Sequence, residues 1–118
     1  MTENVVENKS FQFAVRTVNI YKHLTTDKKE YVMSKQLLKC GTSIGANVAE
    51  AERGQTKADF YAKLSIALKE AHETYYWLRL LNATEYLTEK EFVSMEKDIK
   101  EIIALLMAIC KTTQQSQK

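Results

Sequence analysis

The stretch CGTSIGANVAEAERGQT, residues 40–56, decides the fold. Cys40, Ile44, Val48 and Ala51 recur at spacings of three and four, the period of one face of an α-helix. Gly54 follows where a helix ends, a position that favours glycine because it can take the left-handed conformation. Thr56, with Asp59 three residues on, reads as the cap of a following helix. Upstream the stripe continues through Leu37 to Met33, so the spacing predicts a helix over about Lys28–Arg53. Gly41, Gly45 and Ala49 form a second row, at i, i+4 and i+8. An interior glycine costs about 1 kcal/mol against alanine, so this row predicts the close approach of another helix.

Three more helices flank this one. Phe11, Ala14, Val15, Val18, Tyr21 and Leu24 give an apolar face to a helix over about Lys9–Leu24. Asp27 and Glu30 in the polar connection form a capping box for the second helix. Phe60, Leu64, Ala67, Ala71, Tyr75 and Leu78 mark a third helix over about Lys57–Asn82. Thr88 with Glu91 is another capping box. It opens a fourth helix whose face is Phe92, Met95, Ile99, Ile102, Ile103, Leu106, Ile109 and Cys110. Helices of this length with short connections form an all-α, up-down-up-down four-helix bundle. The bundle is expected over residues 9–112, between a flexible N-terminus (1–8) and a flexible tail (113–118).

Composition agrees. The 118 residues include no proline and three glycines, too few for the tight turns of a β-sandwich or barrel. One domain fits this length. The longest apolar run, Ile102–Cys110, is well short of the roughly 20 residues a membrane span needs, so no membrane association is expected. The start has no basic, then apolar, export pattern. Cys40 and Cys110 are therefore expected as reduced core residues of a cytoplasmic protein.

No catalytic pattern is present. His23 and His72 lack the glutamate three residues upstream that di-metal bundles use. Neither cysteine has a zinc-ligand neighbour, and no glycine-rich phosphate loop occurs. No metal, cofactor or enzymatic activity is expected. Ser43, Asn47 and Glu50 form a polar row beside the glycine row. It reads as a set of groups fixing helix register, with Arg16 as a partner for Glu50; a ligand site is the alternative. Tyr75, Tyr76 and Trp77 point in different directions on a helix, so they divide between core and an interface, with base stacking as the alternative.

Charge is uneven despite a balance of 17 basic and 15 acidic residues. Lys9–Leu24 carries Lys9, Arg16 and Lys22 and no acid. Lys28, Lys29, Lys35, Lys39, Arg53 and Lys57 outnumber Glu30, Glu50 and Glu52. The fourth helix region is acidic, through Glu85, Glu89, Glu91, Glu96, Asp98 and Glu101. These surfaces are either solvated independently or complementary, within a subunit or between subunits. Whether the six bases from Lys28 to Lys57 gather on one surface of the assembly discriminates between RNA or DNA as a partner and a purely protein-binding adaptor.

The run Ser43-Ile44-Gly45-Ala46-Asn47-Val48-Ala49-Glu50-Ala51 resembles the signature S-I-x-x-N-[IV]-A-E-[GA] of the bacterial four-helix bundle family encoded in intervening sequences of 23S rRNA genes, also called the S23 ribosomal protein family. TKADF at Thr56–Phe60, the stretch Leu64–Leu81 and Gln36-Leu37 extend the resemblance over roughly residues 10–110. Ala51 stands where many members have glycine, and the proline many carry between the first two helices is missing. The resemblance implies Ser43, Ile44, Asn47 and Glu50 as signature residues of a left-handed bundle that assembles into a ring, typically a pentamer. A related retroelement accessory bundle extends the implication, by fold analogy, to a role beside nucleic acid.

Overall fold

The computed structural model describes the backbone of residues 2–117 and the side chains of residues 5–113; Met1 and Lys118 lie outside the described residues. Four helices follow one another: α1 (Thr2–Thr26), α2 (Met33–Ala51), α3 (Lys57–Ala83) and α4 (Glu89–Gln117). Each packs on its successor, and α4 returns to α1, giving an up-down-up-down bundle of 48 × 20 × 20 Å.

The helix starts follow their caps. Thr56 Oγ1 accepts the Asp59 N–H at 3.0 Å. Thr88 and Glu91 exchange reciprocal bonds, Thr88 N to Glu91 Oε1 at 2.8 Å and Glu91 N to Thr88 Oγ1 at 3.1 Å. The box expected at Asp27 and Glu30 forms differently. Asp27 turns back to His23 Nδ1 at 2.8 Å, and Glu30 alone serves α2, which begins five residues later than expected. Helix α1 starts at Thr2, and Val6 is buried in the core. At the other end, the backbone of α4 stays helical to Gln117.

The core faces of α2, α3 and α4 are those the spacing predicts. Leu37, Ile44 and Val48 meet Leu64, Ala67, Ala71 and Leu78, and Met95, Ile99, Ile102 and Leu106 complete the interior. Helix α1 differs. Its buried residues are Val6, Ser10, Phe13, Thr17 and Leu24, whereas Phe11 is 64% and Val15 42% exposed. The helix is rotated from the expected face because the glycine row on α2 accepts its small polar side chains. A Cβ on Gly41 would stand 2.7 Å from Thr17 Cγ2, and one on Gly45 would stand 3.3 Å from Ser10 O. The hydroxyls are satisfied within α1 itself: Thr17 donates to Phe13 O and Ser10 to Glu7 O.

Gly54 does not take the left-handed conformation; no described glycine does. It is needed for space, since a Cβ there would stand 3.2 Å from both Ala51 O and Asp59 Cβ. The left-handed positions are Lys29 (φ 56°) and Glu85 (φ 70°), in the α1–α2 and α3–α4 connections at the same end of the bundle.

Candidate functional site

Three surfaces carry the residues singled out from the sequence. The first is the α1–α4 seam. Lys9 pairs with Glu101 at 3.0 Å, Arg16 with Asp98, and His23 Nε2 approaches Glu91 Oε2 at 3.6 Å. Arg16 also donates to Ser94 Oγ at 2.6 Å. The basic residues lie seven apart on α1 and therefore share one face. The complementary charge between first and fourth helices is thus used within the chain. Arg16 does not reach Glu50, as was expected; Glu50 is exposed and lies 3.5 Å from Lys63 on α3.

The signature row consequently divides. Ile44 is fully buried. Asn47 Nδ2 donates to Ser43 O at 2.9 Å and Ser43 Oγ at 3.1 Å, one turn back on its own helix. Ser43 and Asn47 are half-buried and tie no second helix by hydrogen bonds. Gly41, Gly45 and Ala49 line the α1 side of α2. There an open groove of about 450 Å³ is bordered by Phe11, Ala14, Gly45, Ala46 and Ala49. Glu7, Asn8 and Thr42 complete its border; Phe11 at this border and Val15 one turn further along α1 are partly exposed apolar side chains.

The second surface holds the basic residues. Arg53 and Lys57 lie at one end of α2, and Lys28, Lys29, Lys35 and Lys39 toward the other. Lys35 and Arg53 are separated by about 27 Å of helix at 1.5 Å per residue, so the six bases do not form one patch. Arg53 is occupied, donating to Ala49 O at 2.9 Å. The other group is exposed, and among the described residues its four ammonium groups have no partner.

Between Lys29 and Lys35 the chain is tightly held. Glu30 is 8% exposed. Its carboxylate accepts the N–H groups of Val32 (3.1 Å), Met33 (3.0 Å) and Ser34 (2.7 Å), while Ser34 Oγ donates to Glu30 O at 2.7 Å. Burial opposes ionisation of Glu30, but the backbone bonds and Ser34 outweigh it, and its pKa is lowered. The sequence marks Glu30 as part of a cap but carries no sign of its burial. Tyr31 and Val32, directly after it, are 58% and 73% exposed.

The third surface is aromatic. Tyr75 is half-buried, its hydroxyl donating to Glu96 at 2.6 Å, with Arg79 and Lys100 placed 5.9 and 5.5 Å from the ring centre. The Tyr75 hydroxyl, together with Lys100, lowers the pKa of Glu96. Tyr76 is exposed and meets Trp77 edge to face at 5.2 Å. Cys40 and Cys110 are free and buried. Burial pushes the Cys40 thiol up to about 11 and raises that of Cys110. Among the described residues no acid, histidine and cysteine group could hold a metal, and no helix is long and apolar enough to cross a membrane.

The antiparallel arrangement with its glycine-lined α1–α2 crossing defines a small all-α four-helix-bundle protein. The chain belongs to the 23S rRNA-intervening sequence protein family, whose model matches residues 2–108. It is also similar to a crystal structure of a protein with unknown function from the S23 ribosomal protein family of Bacteroides thetaiotaomicron VPI-5482. The two are 58% identical with a TM-score of 0.93, over 94% of this chain and 99% of that one. No curated protein matches.

Proposed function

We propose that the protein is a non-enzymatic, homo-oligomeric scaffold that gathers copies of its lysine-bearing α1–α2 connection to hold nucleic acid. The observation that carries the reading is the outward apolar face of α1. Phe11 and Val15 are exposed on α1, Phe11 borders a groove lined also by Glu7, Asn8, Ala14, Thr42, Gly45, Ala46 and Ala49, and a second chain would remove the apolar part of this surface from water. A different set of exposed apolar side chains, Tyr76, Val93 and Met107, lies on α3 and α4. Unlike surfaces that meet make a head-to-tail contact, and such a contact closes into a ring when the rotation allows. Two free buried thiols suit a reducing compartment such as the cytoplasm.

The six bases do not gather in one chain, which speaks for a purely protein-binding adaptor; nucleic acid is preferred here on the narrower set of four unpartnered lysines, Lys28, Lys29, Lys35 and Lys39, in and beside the α1–α2 connection. One chain with a net charge of +2 holds a polyanion weakly. Several copies in one ring multiply the contacts on a single strand. The family description, with its reference to rRNA, makes RNA the first probe.

Light scattering at micromolar concentration should give a mass several times 13.6 kDa. Replacing Phe11 and Val15 by serine should reduce it to the monomer without changing the circular dichroism, since neither side chain is in the core. A parent that remains monomeric at high concentration overturns the scaffold reading. An oligomer that fails to bind RNA or DNA at low salt leaves the adaptor in its place.

A further inference from the structure

We infer that the α1–α2 connection is a preformed finger for single-stranded nucleic acid, on which Tyr31 stacks an unpaired base while Lys28, Lys29, Lys35 and Lys39 hold the flanking phosphates. The inference rests on the nucleic-acid reading above and adds to it a strand type and a stacking residue.

The first argument is the exposure of Tyr31 and Val32. They are adjacent, apolar and solvent-facing, on a connection and not on a helix face that another helix could cover. Nothing in the bundle uses the Tyr31 ring.

The second argument is rigidity. Three N–H groups on one carboxylate, the Ser34 hydroxyl returned to Glu30 O, and Glu30 N donating to Leu24 O at 2.9 Å clamp the chain on both sides of Tyr31. Lys29 is held in the left-handed region immediately before it. A loop fixed in this way orders little further on binding, so contact energy is not lost to ordering the backbone.

The third argument is charge. Between Lys28 and Ala49 the only acidic residue is Glu30, and its carboxylate is buried against the backbone. The outer surface of this segment therefore presents four positive groups and no negative one. Lys35 also stands in the first turn of α2, which contains no acid. A cation at a helix N-terminus opposes the helix dipole, and a bound anion would relieve that placement. All four cations are lysines. Their ammonium groups can neutralise phosphate as point charges. Of the other acids at this end of the bundle, Asp27, directly before Lys28, is exposed but paired with His23 at 2.8 Å, and Glu85 and Glu89 belong to the α3–α4 connection and the start of α4. Lys35 and Lys39, one turn apart, give a polyanion a track along α2.

Single strands are favoured over duplex because a ring can stack only on an unpaired base. The test is fluorescence anisotropy of a labelled 12-nucleotide RNA, single-stranded or annealed to its complement, on the oligomeric protein at low and at physiological salt. The parent should prefer the single strand by roughly ten-fold, the value of one stacking contact. Tyr31→Ala should lose most of that preference, Tyr31→Phe should keep it, and neither should move the melting temperature appreciably, since the ring is exposed. The double variant Lys35→Glu, Lys39→Glu should lose binding of both forms and most of the salt dependence. Equal affinity for duplex, or a Tyr31→Ala protein that binds like the parent, overturns the finger while nucleic-acid binding stands. No RNA binding at all by a confirmed oligomer overturns both. A fall in mass for Tyr31→Ala, or Tyr31-dependent capture by phosphatidylserine vesicles in place of RNA, would assign the finger to a subunit contact or to a membrane, and overturns it equally.

Discussion

The α2–α3 and α1–α4 seams close the same bundle with opposite chemistry. Between α2 and α3, Leu37, Ile44, Val48, Leu64, Ala67 and Leu78 interlock without water. Along α1 and α4 the outer edge is ionic: Lys9 with Glu101, Arg16 with Asp98 and Ser94, His23 with Glu91. The difference teaches where the stability resides. Burial of apolar side chains stabilises by about 2–3 kcal/mol per residue, whereas exposed ion pairs contribute about 0.2–1 kcal/mol each. Helix α1 is thus held mainly by its buried Val6, Phe13 and Leu24, and its ionic edge aligns it.

The comparison breaks most forcefully in the apolar seam. Leu78→Ala leaves a cavity in a fully buried site and should cost about 3 kcal/mol. Urea unfolding should show the loss unchanged between low and high salt. Gly41→Leu comes next. Its side chain would meet Thr17 within 3 Å of the first carbon, and the overpacking should cost about 2 kcal/mol. Because the clash falls on α1, hydrogen exchange should rise in α1 before it rises in α3.

Glu30→Gln has a smaller effect and a sign that can be worked out. The folded pKa of Glu30 is lowered, so its contribution is present above the unfolded value, near 4.3. It is lost as pH falls through the folded value. Removing the charge should cost about 1.5 kcal/mol at pH 7, in the range of a lost charged hydrogen bond. The difference between parent and variant should shrink below about pH 4. A difference that stays constant down to pH 2 would show that the carboxylate charge contributes nothing.

Much of this architecture was legible before the structure. Helix number, order and three of the four core faces follow from spacing alone, as do the caps at Thr56 and Thr88. Helix α1 defeats the same reasoning for a physical reason. It has two faces of helical period, and the more apolar one, with Phe11 and Val15, points outward. The true core face carries Ser10 and Thr17, which fit only because Gly41 and Gly45 oppose them. A rule that sends apolar residues inward has no means of weighing what the opposing helix can accept. The left-handed positions at Lys29 and Glu85 were equally silent, since neither residue type marks such a backbone. The lysines of the α1–α2 connection were visible as charges. What made them a coherent group was the burial of Glu30, and a carboxylate turned onto its own backbone leaves no trace in a charge count.

The smallest expected effect is the one that separates the two seams most cleanly. Arg16→Ala removes the Asp98 pair and the bond to Ser94, both at a site where Arg16 and Asp98 side chains remain more than a third exposed. Exposed pairs are screened by salt, so the cost should be about 0.5–1 kcal/mol at low ionic strength and near zero at 1 M salt. The double variant with Asp98→Ala should cost less than the sum of the two single changes, because each single change already abolishes the pair. The same cycle at Glu50 and Lys63, another exposed pair at 3.5 Å, should give a coupling no larger than that at Arg16. If the Arg16 cost persists undiminished in 1 M salt, the α1–α4 edge is held by packing of the Arg16 stem, and the contrast between the seams is one of degree.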